Sequence, residues 1–526
     1  MSDRYLIGID FGTASARGVL VEITSGKQVD YVVSEYPHGV ISASLPNGDR
    51  LPSGFSLHHP ADYIKTALDI LTKLGRGKDI AGIGIASTAS SPMPARADGS
   101  SLVKQFPDDP QAYVKLWKHA RAQPFADDIN EQNRERFLPY TWRISGEGLI
   151  AKAAETSETS PAVWNIADKF IEVGDWVVWQ LTGGEFRSSD FAYFKALYSQ
   201  DSGFPNGLVA GLEEKLSPPH SVGSAAGCLS ETWVSKTGII GTPVVSVASI
   251  DSHAVLPAVG VTSPGTMVGV LGTSSGFIFL DSEPRALPDG FEASAFGAAL
   301  PNIWCCEAGQ AGFGDTLGWF IRTFPCPAKT GEEFDWYNGK ADLLKPGQSG
   351  LIALDWFGGN RVPYADKLLS GCLIGLRIDT SPVDIYRALI ESLAFGIRAI
   401  LERGERGRLT IERVVLTSAI ARGNSFLVKT ICDVLGRAVY VPNIEQATAM
   451  GAAIHAAVAS GTVANFKEGA SRFGCREYRI FEPDAERAIV YDRLYADYFA
   501  LCSDEKILKT MRNLSAAMTI GDNSPI

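Results

Sequence analysis

The stretch Tyr5–Ile23, YLIGIDFGTASARGVLVEI, joins two apolar runs through a short loop of small and hydroxyl-bearing residues. The runs are rich in aliphatic and β-branched residues, a pattern typical of the two strands of a β-hairpin. Asp10 ends the first run, and Gly12, Thr13 and Ser15 follow it. Glycine permits a turn that exposes successive N–H groups, and the hydroxyls add further donors. The loop is therefore either an ordinary hairpin turn or a cradle for phosphate oxygens.

The same plan recurs roughly half a chain later in Thr266–Leu280, TMVGVLGTSSGFIFL. There an apolar run leads into a Gly-Thr-x-Ser loop that begins with Gly272 and Thr273, and a second apolar run follows. Repetition of one motif indicates two domains built on similar cores, each offering one loop. Two such loops facing each other would hold a triphosphate from both sides, which favours the phosphate-binding interpretation over a plain turn.

A chain of 526 residues is too long for a single compact core, and two large domains are the natural expectation. Its net charge is −11 at pH 7, and it has no basic tract. Such an acidic protein is a poor partner for nucleic acid or for anionic membranes. A polyanion such as ATP would have to be bound locally, by backbone donors and a metal ion.

Three further features predict a cytoplasmic protein. The first ten residues, MSDRYLIGID, contain acids and no long apolar segment, unlike a signal peptide. No apolar run approaches the length of about 18 residues that a membrane span needs. The eight cysteines form no CxxC pair and no Cys/His cluster with zinc spacing, so reduced thiols are expected.

Apolar periodicity and end signals predict several helices. They include Ala61–Gly75, Ser381–Gly404 with Ser381 as N-cap and Gly404 as stop, and Ala447–Gly461. The last of these, ATAMGAAIHAAVASG, consists largely of small residues, which would let its backbone approach a neighbour closely. Residues 110–240 are expected to be mainly helical and to form an insertion that caps a site.

Two acids are candidates for the chemistry. Asp10 lies where a strand meets the first loop, and a carboxylate there can hold Mg²⁺, usually through waters; stabilising the turn is the alternative role. Asp251 ends the apolar run of VVSVASIDSHA, near the expected domain junction. An acid beside a phosphate loop can accept a proton from a substrate hydroxyl as it attacks a γ-phosphate. His253 is interpreted as structural, because phosphoryl transfer mainly needs positioning, metal and one base.

In their order and spacing, a set of short motifs resembles the FGGY family of carbohydrate kinases over about residues 4–500, and within that family the bacterial L-ribulokinases. The motifs are IGIDFGTASARG, STASSPMP, IEVGDWVVWQLTGGEFRSS, YFKALYS, IDSHAVLPAVGVTSPGTM, LGTSSG, EAGQAGFGDTLGWF, LDWFGGNR, SGCLIGL, IYRALIESLAFGIR, VLGRAVYVP and ATAMGAAIHAAVASG. Each motif is weak alone, and their joint order is specific.

The resemblance implies an α/β fold with two ribonuclease H-like domains around a central cleft, as in the actin, hexokinase and Hsp70 superfamily. A sugar-binding N-terminal domain would span 1–257, a nucleotide-binding C-terminal domain 258–503, and a polar tail 504–526. ATP and Mg²⁺ are the implied cofactors, and a small-molecule sugar is the implied partner. The family also suggests a homodimer or homotetramer.

The resemblance assigns roles residue by residue. Asp251 would be the general base, and Asp10 and Asp251 would form the metal site. The nucleotide phosphates would contact the first loop through Gly12, Thr13, Ser15 and Arg17, and the second loop through Gly272 and Thr273. The nucleoside end would contact Gly314, Ala419 and Asn424. The sugar would contact Ala89, Trp117, Lys195, Asp251 and Glu307.

The implied reaction is ATP-dependent phosphorylation of the terminal hydroxyl of a ketopentose, L-ribulose to L-ribulose 5-phosphate, in carbohydrate catabolism. D-ribulose, xylulose or a pentitol such as ribitol are alternative substrates. A non-catalytic sugar- or nucleotide-binding protein on the same fold is the alternative outside enzymes. A chaperone or filament protein of the superfamily is disfavoured, because those proteins lack the EAGQ segment and the Trp-Lys sugar segment.

Two departures from the family pattern lead to further expectations. His119 stands where ribulokinases have an aspartate, and exchanging a carboxylate for an imidazole would change which hydroxyl pattern is bound. Ser418 and Ala419 stand where the family has paired glycines at the adenosine-binding turn. A Cβ is costly where the turn needs φ > 0 and crowds a close backbone approach, so weakened or altered nucleotide binding is expected.

Overall fold

The computed structural model describes residues 3–137, 141, 143–284, 287–288 and 290–521. The strands in these residues are β1 (Arg4–Phe11), β2 (Ser15–Glu22), β3 (Gln28–Glu35), β4 (Leu57–His58), β5 (Asp79–Ser87), β6 (Pro92–Ala95), β7 (Val114–Lys115), β8 (Lys169–Glu172), β9 (Arg187–Ser188), β10 (Pro219–His220), β11 (Ala225–Cys228), β12 (Val244–Ser246), β13 (Ser249–Ile250), β14 (Gly265–Leu271), β15 (Ser275–Asp281), β16 (Ala293–Phe296), β17 (Trp304–Gln310), β18 (Ile352–Leu354), β19 (Cys372–Ile374), β20 (Ile411–Thr417), β21 (Val439–Pro442) and β22 (Tyr478–Phe481).

The α-helices in the same residues are α1 (Pro60–Gly75), α2 (Gln123–Phe137), α3 (Leu149–Thr159), α4 (Pro161–Ile166), α5 (Val173–Thr182), α6 (Ser189–Ala196), α7 (Glu231–Thr237), α8 (Asp251–Ala258), α9 (Gly314–Thr323), α10 (Glu333–Asp342), α11 (Pro382–Arg406), α12 (Ala419–Gly423), α13 (Ser425–Leu435), α14 (Ala447–Ala459), α15 (Phe466–Phe473), α16 (Ala485–Cys502) and α17 (Glu505–Gly521).

The chain divides into two compact units, each assembled from three segments of sequence. The first unit comprises Met1–Thr262, Ser294–Cys305 and Gln446–Cys475. The second unit comprises Ser263–Ala293, Cys306–Glu445 and Arg476–Ile526. Segments far apart in sequence therefore complete each unit, and α14 belongs to the first unit although it lies near the end of the chain.

The main sheet of the first unit has the strand order β11-β12-β5-β1-β2-β3. Strand β1 pairs antiparallel with β2 and parallel with β5, which places the predicted hairpin at the centre of the sheet. From its third residue onward β1 is buried along its whole length. A strand covered on both faces reads as a continuous apolar run, as the sequence YLIGIDF does.

The sheet of the second unit repeats this plan. Its strand order is β17-β15-β14-β20-β21-β22, with β16 beyond β17. Strand β14 pairs antiparallel with β15 and parallel with β20, as β1 does with β2 and β5. The internal echo in the sequence therefore corresponds to two equivalent hairpins, each next to a parallel strand.

The predicted helices form, with differences at their ends. Helix α1 covers the predicted span and begins one residue earlier, at Pro60. Helix α11 has the predicted N-cap Ser381, completed by the Asp384 side chain as a capping box. Gly404 does not stop it, and the helix continues to Arg406, since glycine in a buried helical position weakens a helix without breaking it.

Two regional expectations are corrected. Within residues 110–240, helices α2 to α6 end at Ala196, and from there to α7 the chain forms turns and short strands. The segment expected to be a polar tail from residue 504 instead forms helix α17, in which Leu508 and Met511 are buried. Leu508 and Met511 are three residues apart and therefore lie on the same face of the helix, and this apolar face packs against the rest of the protein.

All eight cysteines are free thiols, as predicted. Among the described residues, no helix combines the length and the apolar character that crossing a bilayer requires.

Helix α14 makes the closest backbone contacts of the first unit. A Cβ added to Gly8 of β1 would lie 1.9 Å from the carbonyl oxygen of Ala449, and one added to Gly84 of β5 would lie 1.7 Å from that of Ala452. A Cβ on Gly451 would lie 1.6 Å from the carbonyl oxygen of Ala254 in α8. The small residues of α14 thus let it pack directly against two central strands and α8, as the sequence predicts.

Replacing Gly451 by alanine should separate α14 from α8, because the new Cβ would overlap a backbone oxygen that cannot turn aside. Overpacking of this kind costs about 1–3 kcal/mol, which lowers the unfolding temperature of a chain of this size by roughly 1–3 °C. Scanning calorimetry checks this, with Gly339→Ala as control, because that exposed helical glycine has open space around it. An unchanged unfolding temperature for Gly451→Ala would refute the packing.

His455 of α14 gives the first unit an acid-sensitive point. Its ring is fully buried against Phe466, and neither ring nitrogen has a hydrogen-bond partner in the described part of the chain. Burial, with a smaller contribution from His253, lowers the pKa of His455 to about 3. In the unfolded chain a histidine has a pKa of about 6.5. Below that pH the unfolded chain binds a proton that the folded chain excludes, so stability falls as the pH falls.

The contribution of His455 to this acid loss is about 2 kcal/mol at pH 5. His455→Leu should therefore show a smaller drop in unfolding temperature between pH 7.5 and pH 5 than the wild type. The exposed His220 is the matched control, and His220→Leu should keep the wild-type pH dependence. Equal drops for His455→Leu and the wild type would contradict the assignment.

Candidate active site

The first loop closes the hairpin of β1 and β2. The N–H of Gly12 donates to the carbonyl of Ser15 at 3.2 Å, and the strand register pairs Asp10 with Arg17. Thr13 is partly exposed at the turn, whereas Ser15 is buried. The predicted phosphate-loop residues are therefore together in one tight turn, with the Asp10 carboxylate at its base.

Two aromatic side chains from outside the hairpin hold this loop. The hydroxyl of Tyr36 donates to the carbonyl of Gly12 at 2.9 Å. The indole Nε1–H of Trp117 donates to Oγ1 of Thr13 at 3.0 Å. A hydroxyl that accepts a hydrogen bond still has its own O–H to donate. Trp117, expected at the sugar, thus also orients the Thr13 hydroxyl as a donor. The contact of Tyr36 with Gly12 was not predicted, because no local pattern links the two residues.

Asp10 and Asp251 form an acidic pair in the first unit. Burial, and next to it the negative charge of Asp251, raise the pKa of Asp10 to about 7, against the opposing charge of Arg17 at 3.9 Å. The Oδ1 atom of Asp10 is buried and has no hydrogen-bond partner among the described residues. Asp251 begins α8 and accepts the N–H of Ser252 at 2.7 Å. An unsatisfied carboxylate oxygen beside a second carboxylate fits a hard cation such as Mg²⁺.

Asp190 of α6 fixes the start of α8. Its Oδ2 accepts the N–H of Ile250 at 2.9 Å, and its Oδ1 lies 2.6 Å from Nδ1 of His253. These two partners stand on either side of Asp251 in sequence, so one carboxylate holds the turn that carries the predicted base. His253 is fully buried in this contact, in agreement with its structural interpretation. Helix α6 also carries Lys195 in its last turn.

The predicted sugar residues Ala89, Trp117 and Lys195 lie in three segments of the first unit that two buried charges connect. Lys152 donates to backbone carbonyls in the segments of Ala89 and Trp117. Glu172 accepts a backbone N–H in the segment of Ala89, and burial raises its pKa to about 7 against the opposing charges of Lys152 and Lys195. The structure therefore links these segments through groups that the sequence analysis does not name.

Glu307, the remaining sugar prediction, lies in β17 within the second unit. Its backbone carbonyl accepts the N–H of Glu292 at 2.8 Å. Its role in sugar binding stays a prediction of the EAGQ motif.

Lys152, Glu172 and Asp190 were missed because each looks ordinary in sequence. Lys152 lies in the apolar stretch LIAKAAE, and Glu172 ends the apolar strand KFIE. All three side chains are buried. A charge inside an apolar run is the one local signal that could have identified the first two, because lysine and glutamate are almost never fully buried without a partner.

His119 has a different place from the one expected. Its side chain is fully buried, with Nε2 at 2.8 Å from Oε2 of Glu155 and Nδ1 accepting the N–H of Ser56 at 3.4 Å. Burial lowers the pKa of His119, opposed by Glu155. Both ring nitrogens are used within the protein, so the expectation that His119 changes the sugar hydroxyl pattern is wrong.

The second loop, between β14 and β15, is fixed to the start of α9. The N–H of Gly314 donates to the carbonyl of Gly272 at 3.0 Å, and the N–H of Asp315 donates to that of Thr273 at 3.1 Å. A Cβ on Gly314 would lie 2.7 Å from the Gly272 oxygen, so the contact requires glycine. Gly314, expected at the nucleoside end, thus packs directly against the second phosphate loop.

The turn of Ser418 shows how the departure from glycine is accommodated. Ser418 has φ +145°, a conformation that favours glycine, so the expected strain is present. Its side chain accepts the N–H of Ala421 at 3.2 Å and caps α12, whose first residue Ala419 is exposed. An N-cap serine contributes about 1 kcal/mol, comparable with the strain. Asn424 accepts the N–H of Leu427 at 2.9 Å and caps α13.

Comparison with known proteins identifies the family of this chain. The C-terminal domain of the FGGY family of carbohydrate kinases matches residues 267–460. Ribulokinase of Bacillus licheniformis is 34% identical over 547 aligned residues, covering 97% of this chain and 99% of that protein. Ribulokinase 2 of Staphylococcus saprophyticus is 35% identical and covers 98% of this chain and all of that protein.

Solved structures show the same fold at lower identity. Xylulose kinase from Rhodospirillum rubrum has a TM-score of 0.81 at 21% identity, covering 95% of this chain and 98% of that one. Glycerol kinase from Plasmodium falciparum, solved with ADP, has a TM-score of 0.79 at 13% identity, covering 96% and 99%. With two α/β units and relatives above 30% identity along nearly its whole length, the chain belongs to the FGGY family of carbohydrate kinases.

Proposed function

We propose that this carbohydrate kinase transfers the γ-phosphoryl group of ATP to the terminal hydroxyl of L-ribulose, giving L-ribulose 5-phosphate and ADP. The observation that carries the proposal is the 34–35% identity to ribulokinases along nearly the whole of both chains. The burial of His119 against Glu155 adds support, because it removes the main reason to expect a different sugar.

In the proposed reaction Asp251 is the general base. It accepts the proton of the sugar hydroxyl while the hydroxyl oxygen forms a bond to the γ-phosphorus and the bond to the β–γ bridging oxygen breaks. Asp190 holds the backbone on both sides of Asp251, so the carboxylate is already placed when the sugar binds. Such positioning is most of what a protein contributes to phosphoryl transfer.

Mg²⁺ is the proposed metal, and Asp10 and Asp251 are the residues that would hold it. When bound it would neutralise charge on the phosphates. The buried and unsatisfied Oδ1 of Asp10 is the feature of this chain that favours a cation there. Thr13, oriented by Trp117, would donate its hydroxyl to a phosphate oxygen, together with the N–H groups of the loop.

The remaining parts of the account stay predictions of the family resemblance. They are the contacts of Arg17, Gly272, Thr273, Gly314, Ala419 and Asn424 with the nucleotide and of Glu307 with the sugar. The domain limits at 257 and 503, the homodimeric or homotetrameric assembly and the cytoplasmic location also stay predictions.

A panel of sugars tests the substrate. In a coupled ADP-release assay with ATP and Mg²⁺, L-ribulose should give the highest kcat/KM among L-ribulose, D-ribulose, xylulose and ribitol. A better turnover of one of the other three sugars would identify a different kinase of the same class. Absence of ADP release with every sugar would refute a kinase function and favour a non-catalytic binding protein.

Asp251→Asn tests the base, because the amide keeps the shape of the carboxylate and cannot accept the proton. The value of kcat should fall by about 10²- to 10⁴-fold. Calorimetry should still detect L-ribulose binding to the variant. The exposed Asp379 is the matched control, and Asp379→Asn should turn over like the wild type. An Asp251→Asn variant with more than a tenth of wild-type kcat would exclude the role.

A further inference from the structure

A single peptide group next to Ala89 is held by two buried charges. The carbonyl of Ser90 accepts from Nζ of Lys152 at 2.5 Å. The N–H of Ser91 donates to Oε2 of Glu172 at 2.7 Å. These atoms are the two ends of the same planar peptide group, since a peptide bond joins the carbonyl of one residue to the N–H of the next. A lysine and a glutamate therefore fix the orientation of this plane from both ends.

The conformation of Ser90 explains why the plane needs holding. Ser90 has φ +57°, in the left-handed region that a serine adopts only at an energetic cost. Released from its partners, the backbone would relax to an ordinary conformation and rotate the peptide, which would move Ala89. The hydroxyl of Ser91 donates a hydrogen bond to the carbonyl of Ala89 at 3.2 Å, which closes the turn.

The same two charges reach the other segments predicted at the sugar. Nζ of Lys152 also donates to the carbonyl of Leu116 at 2.8 Å, directly before Trp117. Burial raises the pKa of Glu172 to about 7, and the N–H of Ser91 and the charges of Lys152 and Lys195 oppose that rise. Both Lys152 and Glu172 are buried.

Burying two charges is expensive, and apolar residues of similar volume often give equal or greater stability. Polar groups in the interior that are fully hydrogen-bonded do specify one arrangement of the backbone. Lys152 and one oxygen of Glu172 hold a strained peptide in this way, whereas Oε1 of Glu172 has no hydrogen-bond partner among the described residues.

We propose that Lys152 and Glu172 are positioning residues for the sugar, which fix the backbone beside Ala89 and so set sugar affinity and selectivity without touching the reacting atoms. The inference rests on the proposed function, in which Ala89, Trp117 and Lys195 contact a pentulose. It predicts that the two side chains act on the sugar and not on ATP.

Lys152→Met tests the lysine, because methionine keeps the apolar stem and removes the ammonium group. The KM for L-ribulose should rise about tenfold or more, and its preference over D-ribulose should shrink, while the KM for ATP stays within about twofold. Glu172→Met removes the group that accepts the N–H of Ser91, and it should likewise raise the KM for L-ribulose without changing the KM for ATP. Glu172→Gln retains an oxygen that can accept the N–H of Ser91, so it should recover most of the wild-type KM.

Lys115→Met is the matched control. Lys115 is also fully buried, and its hydrogen bond goes to the carbonyl of Gln111 at 3.2 Å, outside the peptide group that joins Ser90 to Ser91. The Lys115→Met variant should lower the unfolding temperature as Lys152→Met does, and it should leave the KM for L-ribulose unchanged. An equal rise in that KM for Lys115→Met would overturn the proposal, because the effect would then follow from lost stability alone.

Other outcomes distinguish a failure of the positioning role from a failure of the proposed function. If the wild type phosphorylates L-ribulose and Lys152→Met and Glu172→Met keep its KM, the positioning role is wrong and the proposed function stands. If Lys152→Met does not fold, Glu172→Met and its Glu172→Gln partner decide the question. If the wild type releases no ADP with any pentulose, the proposed function falls, and the positioning role falls with it.

Discussion

The contact of α14 with β1, β5 and α8 is the constraint on which the candidate active site depends. Three glycines, Gly8, Gly84 and Gly451, leave room for backbone to meet backbone, and no side chain larger than hydrogen fits at these points. Asp10 is the next-to-last residue of strand β1, and α8 begins with Asp251. Because one helix packs against both elements, the buried Asp10 and the partly exposed Asp251, far apart in sequence, are held near each other.

A second layer of buried polar groups sets the finer geometry. Asp190 holds the backbone beside Asp251, and Lys152 and Glu172 hold the backbone beside Ala89. Charges in a protein interior are costly unless fully paired, and a half-satisfied arrangement is worse than an apolar one. Each of these groups therefore stabilises one backbone conformation over its alternatives. Two carboxylate oxygens in this layer, Oδ1 of Asp10 and Oε1 of Glu172, have no hydrogen-bond partner among the described residues, and the proposed Mg²⁺ would account for the first of them.

Much of the framework could be predicted from local sequence. The two Gly-Thr-x-Ser loops, the acids at strand ends and the close packing of α14 all follow from residue type and short-range spacing. The end of α11 could not be predicted from local sequence, because Gly404 is tolerated within a helix that tertiary contacts stabilise. The burial of His119 also could not be predicted, since its partner Glu155 lies on another element and no local sequence pattern pairs the two residues. The carbonyls that Lys152 contacts, those of Ser90 and Leu116, are likewise distant in sequence.

In the proposed reaction Asp251 is the base that activates the terminal hydroxyl of a pentulose. A crystal structure of the protein with L-ribulose, Mg²⁺ and a non-hydrolysable ATP analogue tests it most directly. The account predicts that the terminal hydroxyl lies within about 3 Å of a carboxylate oxygen of Asp251 and points to the γ-phosphate. A sugar bound with that hydroxyl out of reach of Asp251, or bound away from Ala89 and Lys195, would contradict it.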